Sequence, residues 1–294
     1  MNIAVVGLGG VGGYLAACFA KEGLRVVGFG RGEHLRVIKE DGITIVEDEQ
    51  EWNQKLDVAT LDEVQNMFDL VLFCVKSYDL EEAYNKIAPY TDEKTIMFSF
   101  SNGVDNGDRL RLFGAKKVLD GCIYILSHIQ QAGVIRKKGK VFAAVFGGDE
   151  DVTRKVASVF DTAQLRYKTP LNIHEALWKK YIFISAFATL TSYYNKSIGA
   201  VYKDHYDEAK TLLQEIAHVA KHYGCDLDGE VEKSLQTASK VPFDSSTSMH
   251  KDFLANTKTE LEALSGFICN TQEIATPLMC RLYKELQMKE KSYE

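Results

Sequence analysis

The strongest constraint on this chain is a run of five glycines in seven residues, Gly7 to Gly13, directly after the apolar segment Asn2–Val6. Glycine adds no side chain to a core and loses more chain entropy on folding than any other residue. Five together imply that the backbone must pass very close to something else. The spacing Gly7-Leu8-Gly9-Gly10-Val11-Gly12 is G-x-G-x-x-G, after an expected strand and ahead of an expected helix at Tyr14–Glu22. In that context the pattern reads as a dinucleotide-binding turn. The first glycine permits the turn, the second lets the backbone approach a pyrophosphate, and the third allows close helix–strand packing. Free amides and the helix dipole then face the anion. A tight turn without a ligand is the plainer alternative.

The rest of the first half alternates strand and helix. Continuous apolar strands are expected at Leu24–Gly30, Leu70–Val75 and Thr95–Phe100, with helices at His34–Glu40 and Leu80–Ala88. That alternation implies a parallel sheet covered on both faces. Helical patterns dominate after Arg166–Pro170, with a long buried helix from Ile173 and an amphipathic one over Tyr206–Gly224. The expected organisation is α/β: a doubly wound sheet domain over 1–167 and an all-helical domain over 168–294.

With 46% hydrophobic and 26% charged residues the chain reads as globular, and a net charge of -6 disfavours nucleic acid and anionic membranes as partners. The longest apolar runs fall short of a membrane span. The start of the chain shows no charged leader, so no signal peptide and a cytoplasmic location are expected. The six cysteines have no CxxC spacing and are expected to be reduced thiols. His218 and His222 are spaced for one helix face but lack a convincing third ligand, so no metal site is expected.

Cofactor type is also legible. The second strand ends without the acid that would bond a ribose 2′-hydroxyl, and Arg31 follows it. A guanidinium suits a 2′-phosphate by charge and by geometry, which favours NADP over NAD. A solvated loop arginine is the alternative. Glu33 lies beyond the usual acidic position.

The segments GLGGVGGYLA, GRGEHL, DLVLFCVKSYD, SNGVDN, EALWKKY and SSTSMHKDF…TKTELEALSGFI run in order along nearly the whole chain. Together they resemble the ketopantoate reductase (2-dehydropantoate 2-reductase) family. The resemblance implies an N-terminal Rossmann domain, a C-terminal helical domain and an active site in the cleft between them. The implied reaction is NADPH-dependent reduction of a 2-keto acid, ketopantoate, to pantoate on the way to coenzyme A, by a monomer or homodimer.

By position, Lys180 matches the family's catalytic lysine and Glu260 its active-site glutamate. Asn102 matches the asparagine that approaches cofactor and substrate, Lys76 a lysine at a strand end, and Ser248 a serine for the substrate carboxylate. The cofactor is expected to meet Gly7, Leu8, Gly9, Gly10, Val11, Gly12, Arg31, Lys76, Asn102 and Glu260. A lysine ammonium can stabilise the oxygen that gains charge during hydride transfer and then protonate it. Apolar surroundings would lower its pKa and ease that transfer. Plainer readings make Lys180 a structural ion-pair partner, Glu260 a surface charge, Lys76 and Asn102 turn residues, and Ser248 a helix cap.

Three positions depart from the family. Ile184 and Ala188 stand where it commonly has asparagines four and eight residues after the lysine, and Ser245 replaces an asparagine three before the serine. Both helical positions are expected to line the substrate site, and their apolar character implies a shift towards a less polar 2-keto acid. Rival readings are another NAD(P)-dependent hydroxy-acid or amino-acid dehydrogenase of the same plan, and a redox sensor that binds the dinucleotide without turnover.

Overall fold

A computed structural model describes residues 1–292. The chain divides into two compact units, Met1–Ser101 with Asp105–Ile173, and Asn102–Val104 with His174–Glu294.

In chain order the first unit contains β1 (Asn2–Val6), α1 (Gly10–Lys21), β2 (Arg25–Phe29), α2 (Gly32–Asp41), β3 (Ile43–Glu47), β4 (Gln50–Gln54) and β5 (Asp57–Ala59). It continues with β6 (Leu70–Phe73), α3 (Leu80–Ile87), β7 (Ile96–Ser99), α4 (Asn106–Phe113), β8 (Lys117–Val118), β9 (Asp120–Gln131), β10 (Val134–Gly147), α5 (Glu150–Thr162) and β11 (Tyr167–Lys168). Six strands form a wholly parallel sheet in the order β5-β2-β1-β6-β7-β8. The chain leaves β1 towards β2 and later returns to its other side at β6. Their carboxyl ends therefore form a topological switch point, where open α/β sheets bind ligands.

Period-two alternation assigns the strand side chains to two cores. Ile3, Val5, Leu70, Leu72 and Phe98 face one cluster, with Leu15 and Phe19 of α1 and Leu35 and Ile38 of α2. Ala4, Val6, Val71, Phe73 and Met97 face the other, with Leu80, Tyr84 and Ile87 of α3 and Leu110 of α4. The sheet is thus covered on both faces.

One cover departs from the simple alternation. A second, mixed sheet, β11-β10-β3-β4 with β9 paired antiparallel to β10, completes the first core. Aromatic rings join it to the parallel sheet: Phe98 contacts Phe146, and Phe160 contacts both Phe100 and Phe146. The long β9–β10 hairpin reads locally as two more strands; the nonlocal pairing of β10 with β3 and β11 assigns it to a different sheet.

The second unit contains α6 (Ile173–Tyr194), α7 (Ile198–Asp204), α8 (Tyr206–His222), α9 (Asp228–Lys240) and α10 (Ser248–Leu254). A π-helical turn at Glu262–Gly266 leads into the short α11 (Phe267–Cys269), and α12 is Pro277–Lys291. α6 is apolar on nearly all sides, and Trp178, Tyr181, Ile182, Phe187 and Leu190 lie in one core with Leu212, Leu213 and Ile216 of α8. Gly224, φ 78°, follows the C-cap Tyr223 of α8, and the Cys225 amide reaches back to the Ala220 carbonyl at 2.9 Å. Buried Glu215 accepts from the Leu278 and Met279 amides at 2.9 and 2.8 Å, so its carboxylate occupies the positive end of α12.

The expectation of reduced cysteines needs correcting for one pair. Cys269 and Cys280 form a disulfide across 11 residues, while Cys18, Cys74, Cys122 and Cys225 are free. The turn between α11 and α12 brings the two Cα atoms to 4.8 Å, a proximity that cysteine spacing does not encode. Among the described residues, no helix is long and apolar enough to cross a membrane.

Candidate functional site

The glycine turn lies at the switch point of the first unit. Gly7 has φ 99°, and a Cβ there would sit 2.8 Å from the main chain of Cys74 and Val75, beyond the end of β6. A Cβ on Gly12 would lie 1.9 Å from the Gly7 carbonyl, and one on Gly10 would lie 2.6 Å from the main chain of Ser127. On Gly13 it would press on Ile43 and Ile135 at 3.1 Å. Gly7, Gly10 and Gly12 are therefore demanded by main chain that already occupies the space, and Gly13 is closely packed. Gly9 differs, because a Cβ there would have nothing within 4 Å. It is the N-cap of α1, and neither a side-chain cap nor an acid in the first turn offsets the positive end of that helix. These features fit an anionic group approaching Gly9. Leu8 is buried and Val11 packs, partly buried, against the first core.

His34, one of several scattered histidines with no motif around it in the sequence, braces this turn. Its Nδ1 accepts from the Gly133 amide at 2.9 Å, which leaves Nε2–H to donate to the Leu8 carbonyl at 2.9 Å. The ring thus ties the glycine turn to the β9–β10 hairpin as a neutral imidazole. Burial lowers its pKa below the ordinary histidine value. The folded protein then holds fewer protons than the unfolded chain, so this stabilisation is complete above pH ~6.5 and is lost as pH falls through the lowered value. His34→Ala is expected to cost about 1–3 kcal/mol at neutral pH. It should also flatten, without abolishing, the fall in urea stability below that pH, since burial lowers the His250 pKa too. Equal pH slopes in variant and wild type would refute this assignment.

Arg31 follows β2 as the N-cap of α2, with its side chain 85% exposed and 3.3 Å from the Asp79 carboxylate. Glu33, the nearest acid beyond it, has both oxygens engaged by Arg36 at 2.6 and 2.8 Å. Lys76 precedes the short helical turn Ser77–Asp79 after β6 and is half-buried.

The second unit assembles three of the expected residues. Lys180 Nζ donates to Asn102 Oδ1 at 3.3 Å, and Asn102 Nδ2 donates to Glu260 Oε2 at 3.2 Å. Glu260 is only 4% exposed. One amide therefore offers its oxygen to the cation and its hydrogens to the carboxylate, and it comes from the Asn102–Val104 excursion that separates from the first unit. The neighbouring Lys179 pairs instead with Glu175 at 2.5 Å near the surface.

Ser248 does not cap α10. Thr247 does, accepting from the His250 amide at 3.2 Å, and Ser248 is exposed at the first helical position. The preceding loop is fixed by His250, whose ring nitrogens lie 2.8 Å from Ser246 Oγ and 2.8 Å from Asn195 Oδ1. Ile184 is half-buried one turn after Lys180, whereas Ala188 is 1% exposed within the core. Among the described residues, no group of three His, Cys, Asp or Glu side chains could hold a metal ion.

Comparison with known proteins places this geometry in context. Residues 3–148 match the family model described as "Ketopantoate reductase PanE/ApbA" and residues 172–290 match its C-terminal counterpart. The "Uncharacterized oxidoreductase YkpB" of Bacillus subtilis is 26% identical, over 99% of both chains. A 2-dehydropantoate 2-reductase of Pyrococcus abyssi is 29% identical, over 91% of this chain and 90% of that protein. The crystal structure of 2-dehydropantoate 2-reductase from Porphyromonas gingivalis superposes with a TM-score of 0.84 at 28% identity, covering 98% of this chain and 99% of that one.

Proposed function

Because this chain belongs to the ketopantoate reductase PanE/ApbA family, we propose that it is an NADPH-dependent reductase of a 2-keto acid, with 2-dehydropantoate as reference substrate and Lys180 as proton donor. It is an oxidoreductase acting on CH–OH groups. The single observation that carries the reading is the Lys180–Asn102–Glu260 chain.

The main chain around Gly9 and the amino end of α1 would hold the dinucleotide's diphosphate, and Arg31 its 2′-phosphate. When bound, the nicotinamide supplies the hydride. Lys180 supplies the rest of the chemistry: its ammonium hydrogen-bonds the keto oxygen, stabilises the charge that grows there and gives up a proton, so the carbonyl becomes a secondary alcohol. Asn102 aims the amine through its Oδ1. Glu260 fixes the amide from the other side, accepting from Asn102 Nδ2. Ser248, exposed at the first position of α10, would bond the substrate carboxylate.

Ile184 favours a second reading of the substrate. An apolar side chain one turn from the amine offers no hydrogen bond to a hydroxylated substrate, each such bond being worth about 0.5–1.5 kcal/mol. A 2-keto acid with a plain branched chain would lose nothing at this position.

Steady-state rates with NADPH and NADH across a panel of 2-keto acids test both readings. The expected result is turnover of at least one member, with kcat/KM at least about tenfold higher for NADPH, a preference that Arg31→Ala reduces selectively. Binding of NADPH without its oxidation by any 2-keto acid would favour the sensor reading. A clear preference for ketopantoate over every plainer acid would remove the argument from Ile184.

A further inference from the structure

Glu260 stands two residues before the π-helical turn Glu262–Gly266. A π turn displaces the regular hydrogen-bond ladder by one residue and leaves carbonyl groups that an α-helix would have used. Leu264, Ser265 and Gly266 are buried, so these groups need partners inside the protein.

The partners come from one stripe of α6. Tyr181 Oη donates a shared hydrogen bond to the Ala263 and Leu264 carbonyls, both at 2.9 Å. Ser185 Oγ donates to the Leu264 carbonyl at 2.6 Å, and Thr189 Oγ1 lies 2.7 Å from Ser265 Oγ. Residues 181, 185 and 189 recur every four positions and so lie above one another on the helix. Lys180 immediately precedes the first of them. The helix that presents the amine therefore also grips the backbone that presents Glu260. Tyr181 is 2% exposed, too buried to touch a substrate.

We propose that Tyr181, supported by Ser185, is a positioning residue: its hydroxyl pins the π turn to α6 and thereby sets Glu260, and through Asn102 the amine of Lys180, in reacting position. This rests on the roles assigned above to Lys180 and Glu260. The arrangement makes an activity requirement out of a hydroxyl that never meets substrate.

Tyr181→Phe in the full chain tests it, because the ring stays and only the hydroxyl is lost. With a 2-keto acid that the wild type reduces, kcat is expected to fall about tenfold, since small misplacements of reacting groups carry penalties of that size or greater. The KM for NADPH should stay within about twofold, and the pH profile of kcat/KM should shift; a merely structural hydroxyl would move neither kcat nor the profile once the folded fraction is matched. Ser185→Ala should reproduce the effect more weakly, and it decides the matter if Tyr181→Phe does not fold. Wild-type kcat and an unshifted profile in the folded variant would overturn the proposal. Lys180→Ala run alongside separates the two failures. If it kills turnover while the other variants behave as wild type, only this inference falls; if it retains turnover, the functional reading falls with it.

Discussion

Lys180→Ala is expected to lower kcat by about a thousandfold, within the range a positioned proton donor supplies, while NADPH binding stays near the wild-type level. The truncated side chain can neither protonate the keto oxygen nor neutralise its charge, whereas the glycine turn lies in the other structural unit and keeps its geometry. Asn102 Oδ1 loses its cation, but Asn102 Nδ2 still meets Glu260, so the fold around the carboxylate is retained. Lys180→Arg refines the test. Arginine restores positive charge but not a usable proton, because its pKa lies above ~12. It should recover part of the oxyanion stabilisation and leave most of the kcat deficit. Lys179→Ala is the matched control: that residue forms a surface pair with Glu175, worth at most about 0.5 kcal/mol, and its loss should leave kcat within about twofold. Steady-state kinetics with a parallel fluorescence titration of NADPH reads all three variants. A Lys180→Ala enzyme that keeps a tenth of wild-type kcat would end the assignment.

The parallel sheet is legible in the sequence because its buried strands carry the signal in consecutive apolar residues and its glycine turn carries it in spacing. The long helix from Ile173 and the amphipathic one over Tyr206–Gly224 are legible from their apolar patterns. The short helices α7 and α10 do not stand out, because seven residues span too few turns to show a period. The second sheet is invisible as a sheet, because its pairing of β3 with β10 joins residues about ninety positions apart. The Cys269–Cys280 bond is hidden likewise by the turn that creates it.

For the site, residue types are readable but partnerships are not. The family resemblance nominates Lys180, Asn102 and Glu260, yet that one amide joins the other two is a fact of three distant segments meeting. Ser248 reads equally well as a cap; the cap is its neighbour Thr247, and one-residue precision at a helix start lies beyond pattern reading. Ala188 is expected beside the substrate because it follows Lys180 by eight residues. α6 is buried on so many sides that this part of the stripe lies in the core. The roles of His34 and Tyr181 carry no local signal: a histidine in a charged segment and a tyrosine in an apolar helix look ordinary until their partners are seen.

The glycine turn supplies the sharpest contrast, between Gly12→Ala and Gly9→Ala. On Gly12 a methyl group would stand 1.9 Å from the Gly7 carbonyl and 2.8 Å from Cys74 Cβ. Neither neighbour yields easily, because the Gly7 amide is tied to the Phe29 carbonyl at 2.8 Å and the Cys74 amide to that of Val6 at 2.7 Å. Relief requires α1 to lift from the sheet. The expected loss is about 3 kcal/mol or more, the scale of overpacking in a well-packed core, seen as a fall of roughly 6–12 °C in Tm. On Gly9 the same methyl meets no protein atom within 4 Å, and φ of -68° suits any L-residue. Stability should change by less than about 1 kcal/mol, the small penalty of alanine at an N-cap. The methyl nevertheless stands at the uncapped end of α1, against which the proposed function sets the diphosphate. The NADPH Kd is therefore expected to rise at least about tenfold, or ~1.4 kcal/mol. Thermal melts of the two variants without cofactor, followed by NADPH titration, separate packing from binding. A Gly9→Ala protein that melts and binds like wild type would show that nothing needs to approach that bare backbone, and would remove the dinucleotide from this turn.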